Sequence, residues 1–300
     1  CTDKNYVVFL LRALGYEDGK DFQYAESLTF AEKLGFYQAD YFEGPFLRDD
    51  LAAITLQALA TDKKGGETYL LKSLIDTGAV DATKAKNLTE KIENYRALTR
   101  ATDAVDSVSQ DTNSLTQARG TVQYAGDTMD VSFDSSTREK IVLRNGKVQL
   151  SSETKITQNG ETTESGTWIK DGWLYLYTKD GGVTAKNKVA VDDSMTDADL
   201  AEVESNQVDK VGLSAIKSIS VVKDGLTSYY SVDVDASAAA FLSGILENYV
   251  DEDDKDLTSI EVSDIKVTYT VNGQGVLGAM TTSFRLKIVY ASGEFQGDPM

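Results

Sequence analysis

Residues 46–60 read FLRDDLAAITLQALA, and residues 2–14 read TDKNYVVFLLRAL. When the two stretches are aligned with an offset of 45 residues, Asn5 matches Asp50, Phe9 matches Ile54 and the Arg-Ala-Leu of residues 12–14 matches the Gln-Ala-Leu of residues 57–59. Each stretch opens with polar residues and continues with apolar residues three and four positions apart, which is the pattern of one buried helix face. The repeat therefore predicts short amphipathic helices in the first part of the chain.

The same apolar spacing predicts five helices before residue 100. They cover residues 4–14, 25–34, 46–60, 68–75 and 81–98. In the first helix the expected buried face consists of Tyr6, Phe9, Leu10, Ala13 and Leu14. Gly15 is the expected stop, since glycine readily takes the left-handed conformation that ends many helices.

Composition excludes several kinds of active site. The chain has no histidine, and its one cysteine is Cys1. The usual general base, Ser-His-Asp and Cys-His arrangements, thiolate metal sites and intrachain disulfides are therefore excluded. We expect a non-enzymatic protein with no catalytic residue, metal or cofactor. A hydrolase built on a pair of carboxylates remains an alternative, because 48 acidic residues always offer pairs.

Charge is distributed unevenly along the chain. Residues 1–100 contain 16 acids and 13 bases, a net charge of −3, whereas residues 101–300 contain 32 acids and 17 bases, a net charge of −15. This shift predicts a domain boundary near residue 100. The acidic second part should repel nucleic acid and anionic lipid. No apolar run approaches the roughly 20 residues of a membrane span. We therefore expect no nucleic-acid partner and no membrane span.

The hydrophobic period changes from that of a helix to that of a strand after residue 119. Alternation predicts strands at 121–124, 128–133, 140–143, 147–152, 154–158 and 162–169. Asn-Gly and Asp-Gly pairs at 145–146, 159–160, 171–172, 224–225 and 272–273 predict tight hairpins. Apolar spacing predicts two further helices, near 197–211 and 236–249, packed on one face of the sheet.

These patterns predict an α+β protein with two domains. A helical repeat domain covers residues 1–95, and its first repeat is truncated. A linker or connecting helix covers residues 96–118. Residues 119–300 form a curved antiparallel sheet with two packed helices.

Both tryptophans of the chain lie in one predicted hairpin, residues 168–177, which reads WIKDGWLYLY. Strand alternation places Trp173, Tyr175 and Tyr177 on one face and Leu174 and Leu176 on the other. A row of aromatic side chains is either a ligand platform or a set of cross-strand packing contacts. Trp173, Tyr175 and Tyr177 are therefore candidate ligand-binding residues, with packing as the alternative.

Residues 1–80 resemble the S-layer homology family. The resemblance rests on Phe22, on Leu34-Gly35-Phe36, on Gly44-Pro45-Phe46 and on Leu47-Arg48-Asp49-Asp50. It implies helix–loop–helix repeats that attach without covalent bonds to secondary cell-wall polysaccharide. Arg48 matches the family's motif arginine, which helps to bind acidic sugar groups, since a guanidinium forks onto a carboxylate. Asp3 stands at this place in the earlier copy, and a solvated surface arginine is the alternative for Arg48.

Residues from about 119 to 300 resemble the LolA-like bacterial lipoprotein-carrier superfamily in the order of strands and helices. That family has curved antiparallel half-barrels whose apolar interior can hold a lipid chain. We therefore expect an extracellular, cell-wall-associated surface protein of a Gram-positive bacterium. Its expected partner is cell-wall polysaccharide or another surface protein. A carrier or sensor of an apolar small molecule is the alternative.

Three further features have competing interpretations. Cys1 is either the lipid-bearing residue of a lipoprotein or a boundary within a longer chain. Residues 273–278, GQGVLG, match the dinucleotide fingerprint, but a strand rather than a helix is predicted after them. Residues 251–256, DEDDKD, lack the glycine and the closing glutamate of a calcium loop, and we interpret them as a solvated acidic loop.

Overall fold

The computed structural model describes residues 2–37, 46–66, 68–104, 109–124, 127–144, 147–191, 211–235 and 257–290. The chain divides into two compact units. The helical unit is Cys1–Ala97 with Gly212–Ile216, and the β unit is Leu98–Val211 with Lys217–Met300. Helices precede strands along the chain, which confirms the α+β class. The predicted helices near 197–211 and 236–249 and the acidic run 251–256 lie outside the described residues, apart from Val211.

Among the residues that the structure describes, five α-helices begin before residue 100. They are α1 (Asp3–Ala13), α2 (Ser27–Lys33), α3 (Arg48–Ala60), α4 (Leu70–Asp76) and α5 (Ala82–Asp103). The Thr2 hydroxyl caps α1 by accepting a hydrogen bond from the Asn5 N–H at 3.3 Å. Gly15 ends α1 as predicted, with a φ of 96° and an N–H that donates to the Arg12 carbonyl. None of the described helices is long and apolar enough to span a membrane.

The two copies of the repeat begin alike but bury different positions. Asp3 and Arg48, which the 45-residue offset aligns, are the first residues of α1 and α3. Phe9, however, is 62% exposed, whereas its counterpart Ile54 is 1% exposed. The predicted burial of Phe9 and Ala13 is therefore wrong. The predicted burial of Leu10 and Leu14 is confirmed. The helix is rotated so that Val7, Val8 and Leu11 also face the core.

A short segment from the second half of the chain completes the helical unit. Residues 212–216 contain a 3₁₀ turn, Leu213–Ala215, in which Leu213 is fully buried. The Leu213 N–H donates to the Gln57 side chain, and the Lys91 ammonium donates to the Ile216 carbonyl. No local pattern in the sequence predicted this return, because a five-residue segment is too short to show a hydrophobic period.

The β unit is an open ten-stranded sheet. Its strands are β1 (Ser109–Tyr124), β2 (Asp127–Arg144), β3 (Lys147–Gln158), β4 (Glu161–Lys170), β5 (Trp173–Asp180), β6 (Val183–Ala190), β7 (Ile216–Asp224), β8 (Thr227–Val234), β9 (Leu257–Val271) and β10 (Leu277–Tyr290). The strand order is β6-β5-β4-β3-β2-β1-β10-β9-β8-β7. Sequential strands form two meanders, and β1 pairs with β10 in parallel where the meanders meet.

The sheet differs from the predicted one in three ways. It is mixed rather than wholly antiparallel, because the first and last strands run in the same direction. β1 begins at Ser109, earlier than the predicted start of the β domain at residue 119. β2 and β3 are each one long strand where the sequence predicted two, since polar residues such as Thr137 and Thr154 interrupt the apolar alternation without breaking the pairing.

Candidate ligand-binding sites

An apolar groove lies on one face of the β unit, where β1, β2 and β10 adjoin. β2 begins at Asp127, whereas β3 ends opposite Phe133, so the first residues of β2 extend beyond β3. The two-residue turn between β3 and β4 borders this extension. Asn159 holds the turn on β2 through two hydrogen bonds with the Ser132 backbone, each 3.0 Å long.

The groove has a volume of about 640 Å³. The sheet register places its apolar side chains on one face, since Val122 pairs with Met129 on β2 and with Ile288 on β10. The other apolar lining side chains are Ala118, Tyr124, Val131, Phe133, Leu286 and Tyr290. This size lies within the roughly 300–1,000 Å³ of small-molecule sites. The groove can therefore accept an apolar molecule.

Charged groups near the groove lie at its edge or are already paired. Arg119 contributes to the lining, but its guanidinium is bound to the Asp134 carboxylate at 2.8 Å and to the carbonyl oxygens of Ala118 and Phe133. Asp130 and Glu161 also contribute and are exposed. An apolar chain could therefore enter without breaking a buried ion pair.

One carboxyl group farther along β2 has an unusual environment. Burial raises the pKa of Glu139, which lies opposite Ser152 of β3. Glu139 does not line the groove. The described residues show no cluster of cysteine and acidic side chains arranged to hold a metal ion.

The candidate aromatic residues lie on the face of the sheet opposite the groove, near its β6 edge. Trp173, Tyr175 and Tyr177 occupy alternate positions of β5. The register places Tyr175 between Trp168 of β4 and Lys188 of β6. We call the set Gly166, Trp168, Trp173, Tyr175, Tyr177, Lys186 and Lys188 the aromatic face.

The aromatic face has a packed part and an exposed part. Trp168 stacks on Tyr177 with ring centroids 5.3 Å apart and planes inclined by 18°. Trp173 and Tyr175 are 39% and 36% exposed. The Lys188 ammonium lies 3.9 Å from the centroid of the Trp173 ring and 5.2 Å from that of Tyr175. Packing accounts for the first pair of rings, whereas the second pair is accessible.

Trp168, Lys186 and Lys188 were not among the predicted site residues. The Asp171-Gly172 turn already fixed Trp168 opposite Tyr175, because a two-residue turn sets the register of its hairpin. The positions of Lys186 and Lys188 are set by a second turn, Gly181-Gly182, which connects β5 to β6 and has φ angles of 51° and 83°. That glycine pair was the missed signal.

Arg48 is the first residue of α3, and its side chain is exposed. The preceding N–H, that of Leu47, donates to the Asp50 carboxylate at 2.6 Å. Among the described residues Arg48 has no ion-pair or hydrogen-bond partner. Asp3, at the equivalent place in α1, instead accepts a hydrogen bond from the Tyr37 hydroxyl at 3.2 Å. The first copy thus uses this position for an internal contact, whereas the second places an exposed arginine there.

The residues predicted as binding groups therefore belong to separate features. Trp173, Tyr175 and Tyr177 share the aromatic face, and Arg48 belongs to the helical unit. Residues 273–278 enter strand β10 rather than a helix, so the dinucleotide fingerprint lacks the helix N-terminus that would bind phosphate. Comparisons of the chain with protein-family models, with curated proteins and with solved structures gave no match.

Proposed function

We propose that the chain is a non-catalytic bacterial cell-surface protein. The helical unit attaches it to secondary cell-wall polysaccharide or to a neighbouring surface protein, and the acidic β unit is displayed. The proposal rests on the resemblance of residues 1–80 to S-layer homology repeats and on one observation, the exposed side chain of Arg48, which pairs with no other described residue.

The environment of Arg48 suits an acidic sugar. A guanidinium presents donors in a planar fork that matches a carboxylate. An aromatic residue, Phe46, lies two positions before it in the chain, and the Phe46 ring contacts Tyr6 with centroids 6.3 Å apart, while Tyr6 contacts Phe9 at 6.2 Å. Phe9 and Leu47 are exposed and provide apolar surface in the same unit. Such surfaces pack against the apolar face of a sugar ring.

Retention of the whole chain on purified Gram-positive cell-wall sacculi tests this function. We expect the wild-type chain to sediment with sacculi and Arg48→Ala to lose about tenfold in affinity, as the removal of a charge-assisted contact predicts. Arg12→Ala is the matched control, because Arg12 is an exposed arginine on α1. Absence of retention, or equal losses in the two variants, would contradict attachment through Arg48.

The groove favours a second function, that of a carrier or sensor of an apolar ligand. Its volume and its apolar lining fit such a ligand. The order of strands and helices predicted from the sequence also resembles that of lipoprotein carriers. In that function the sheet acts as a half-barrel around the ligand. An apolar molecule in the groove would be held mainly by the removal of its surface from water.

A fluorescent naphthylamine dye, displaced by palmitate, provides the corresponding test. Met129→Lys places a charge in the groove at a residue that is 51% exposed, so folding should tolerate it. Thr128→Lys places the same charge on the adjacent residue, whose side chain points to the other face of β2. We expect saturable dye binding that only Met129→Lys weakens. Equal effects of the two variants, or no saturable binding, would refute the carrier function.

A further inference from the structure

The aromatic face carries a local charge opposite to that of the whole protein. On strands β3–β6, the face of the sheet that carries Trp173 and Tyr175 also carries five lysines whose side chains are described. They are Lys155, Lys170, Lys179, Lys186 and Lys188. Two acids, Glu153 and Glu164, accompany them. Five positive and two negative charges give a local charge of +3, whereas the chain as a whole carries −18. A basic patch on so acidic a protein is complementary to an anionic partner.

The two lysines of β6 that lie opposite Tyr175 and Tyr177 are not neutralised by any described acid. Lys179 is paired with Glu164 at 3.3 Å. Lys186 and Lys188, by contrast, form no ion pair with any carboxylate in the described part of the chain. The Lys188 ammonium instead lies on the Trp173 ring, where the π electrons attract it without cancelling its charge. A ligand at Trp173 would therefore meet both an aromatic surface and an available cation.

Gly166 leaves room for the packed rings of the aromatic face. A Cβ atom at this position would lie 2.3 Å from Tyr177 Cε1 and 2.8 Å from Trp168 Cη2. The missing side chain lets Tyr177 approach β4 closely and stack with Trp168. The aromatic face therefore contains four rings on two neighbouring strands, of which Trp173 and Tyr175 are exposed.

We infer that the aromatic face binds an acidic polysaccharide. A sugar ring stacks on Trp173 and Tyr175, and its carboxylate is bound by Lys188 and Lys186. The apolar side of a sugar ring matches a flat aromatic surface, and ammonium groups supply charge-assisted hydrogen bonds to a carboxylate. This site is separate from Arg48 and does not depend on how the helical unit binds.

Two other anionic partners fit the structure less well. Nucleic-acid-binding domains usually have a strongly basic surface and a pI above about 9, whereas this chain has a pI of about 4.4. Anionic membranes are bound by apolar side chains that reach roughly 5–10 Å into the headgroup region. Trp173 and Tyr175 are only 39% and 36% exposed, so most of each ring is covered by the protein and cannot enter a membrane.

Tryptophan fluorescence of the whole chain provides a direct test, since both tryptophans lie on the aromatic face. The probes are polygalacturonate oligomers, neutral galactan oligomers of similar length, oligo-dT and vesicles of phosphatidylglycerol. We expect polygalacturonate to cause a saturable change in tryptophan fluorescence, and we expect added salt to lower the affinity. Affinity for galactan should be about tenfold lower, because the neutral sugar lacks the contacts to lysine.

Paired charge reversals on the two edge strands provide matched variants. Lys186→Glu with Lys188→Glu alters β6, and Lys217→Glu with Lys223→Glu makes the same charge change on β7, the opposite edge. We expect the first pair to lower the affinity for polygalacturonate by about tenfold or more and the second to change it by less than about threefold. Circular dichroism would verify that both variants fold.

Several outcomes would overturn the inference. These are the absence of a saturable change with polygalacturonate, equal binding of galactan, equal effects of the two charge-reversed pairs, or tighter binding of oligo-dT or of vesicles. Arg48→Ala should leave this titration unchanged, so the result is independent of the test on sacculi.

Discussion

The side-chain oxygen of Gln57 accepts a hydrogen bond from the backbone N–H of Leu213, and the two atoms are 3.2 Å apart. The nitrogen of the same amide donates to the Gly35 carbonyl oxygen at 3.3 Å and to the Tyr95 hydroxyl at 3.1 Å. One side chain on α3 therefore joins three other segments of the helical unit.

Replacement of Gln57 by methionine should destabilise the helical unit by about 1–3 kcal/mol. Methionine has a similar size but accepts hydrogen bonds poorly, so the Leu213 N–H would lose its partner while buried. Urea unfolding followed by far-ultraviolet circular dichroism measures the loss. Gln23→Met is the control, because Gln23 is exposed and its side chain does not cap the 3₁₀ turn that follows it. Equal stability of the two variants would contradict this role of Gln57.

Truncation of two nearby residues of α1 should lower the free energy of unfolding by very different amounts. Leu11 is fully buried, so Leu11→Ala should cost about 2–5 kcal/mol through lost burial and a cavity. Phe9→Ala removes a larger side chain from an exposed position and should cost less than about 1 kcal/mol. Unfolding in urea, followed by circular dichroism, would compare them. A larger loss for Phe9→Ala would restore the burial pattern that the sequence predicted.

Alkaline pH should weaken the helical unit through Tyr37. Burial, together with the charge of the Asp3 carboxylate and the hydrogen bond to it, raises the pKa of Tyr37 to about 12. An unfolded tyrosine has a pKa of about 10, so folding favours the neutral phenol. This stabilisation is complete below about pH 10 and is lost as the pH rises from about 10 to about 12.

Unfolding of the helical unit, measured by circular dichroism at several pH values, would show this loss. Burial also raises the pKa of Tyr69, so the wild-type chain should lose stability through both residues. Tyr37→Phe should reduce the slope above pH 10 without abolishing it. A slope unchanged by this substitution would show that Tyr37 ionises as easily in the folded state as in the unfolded one.

Addition of one methyl group at Gly166 should disrupt the packed rings. In Gly166→Ala the new Cβ would overlap Tyr177, so the stack with Trp168 must shift, at a cost of about 1–3 kcal/mol. Gly278→Ala on β10 is the control, since its Cβ would meet no atom closer than the Thr270 carbonyl oxygen at 3.8 Å. Near-ultraviolet circular dichroism and tryptophan emission should change in the first variant only. An unaltered spectrum would show that the rings do not depend on the glycine.

Local signals predicted much of the fold. The end of the first helix followed from Gly15, and the Asp171-Gly172 pair predicted a hairpin that the structure confirms. The rotation of α1 was mispredicted because apolar residues surround most of this helix, and its spacing fits more than one buried face. Phe9 was assigned to the core by its three-residue spacing from Tyr6, whereas in the structure it stacks on Tyr6 at 6.2 Å and stays exposed.

Contacts between distant parts of the chain could not be predicted. Leu213 packs among helices that precede it by more than a hundred residues, and nothing in its neighbours indicates a partner. The groove depends on the pairing of β1 with β10, and its residues Val122 and Ile288 lie at opposite ends of the β-rich sequence. Arg48 was recognised by resemblance, and the structure adds that its side chain is exposed.

The parallel pairing of β1 with β10 has a consequence for biosynthesis. The meander β1–β6 is complete when residue 190 leaves the ribosome, but β10 ends at residue 290. Until then the inner edge of β1 presents unpaired N–H and C=O groups, which can template pairing with another chain. The strand that joins both halves of the sheet, β10, is thus made about 100 residues after β6. Loss of β10 should leave two separate sheet fragments with unpaired edges that tend to aggregate, rather than a slightly smaller domain.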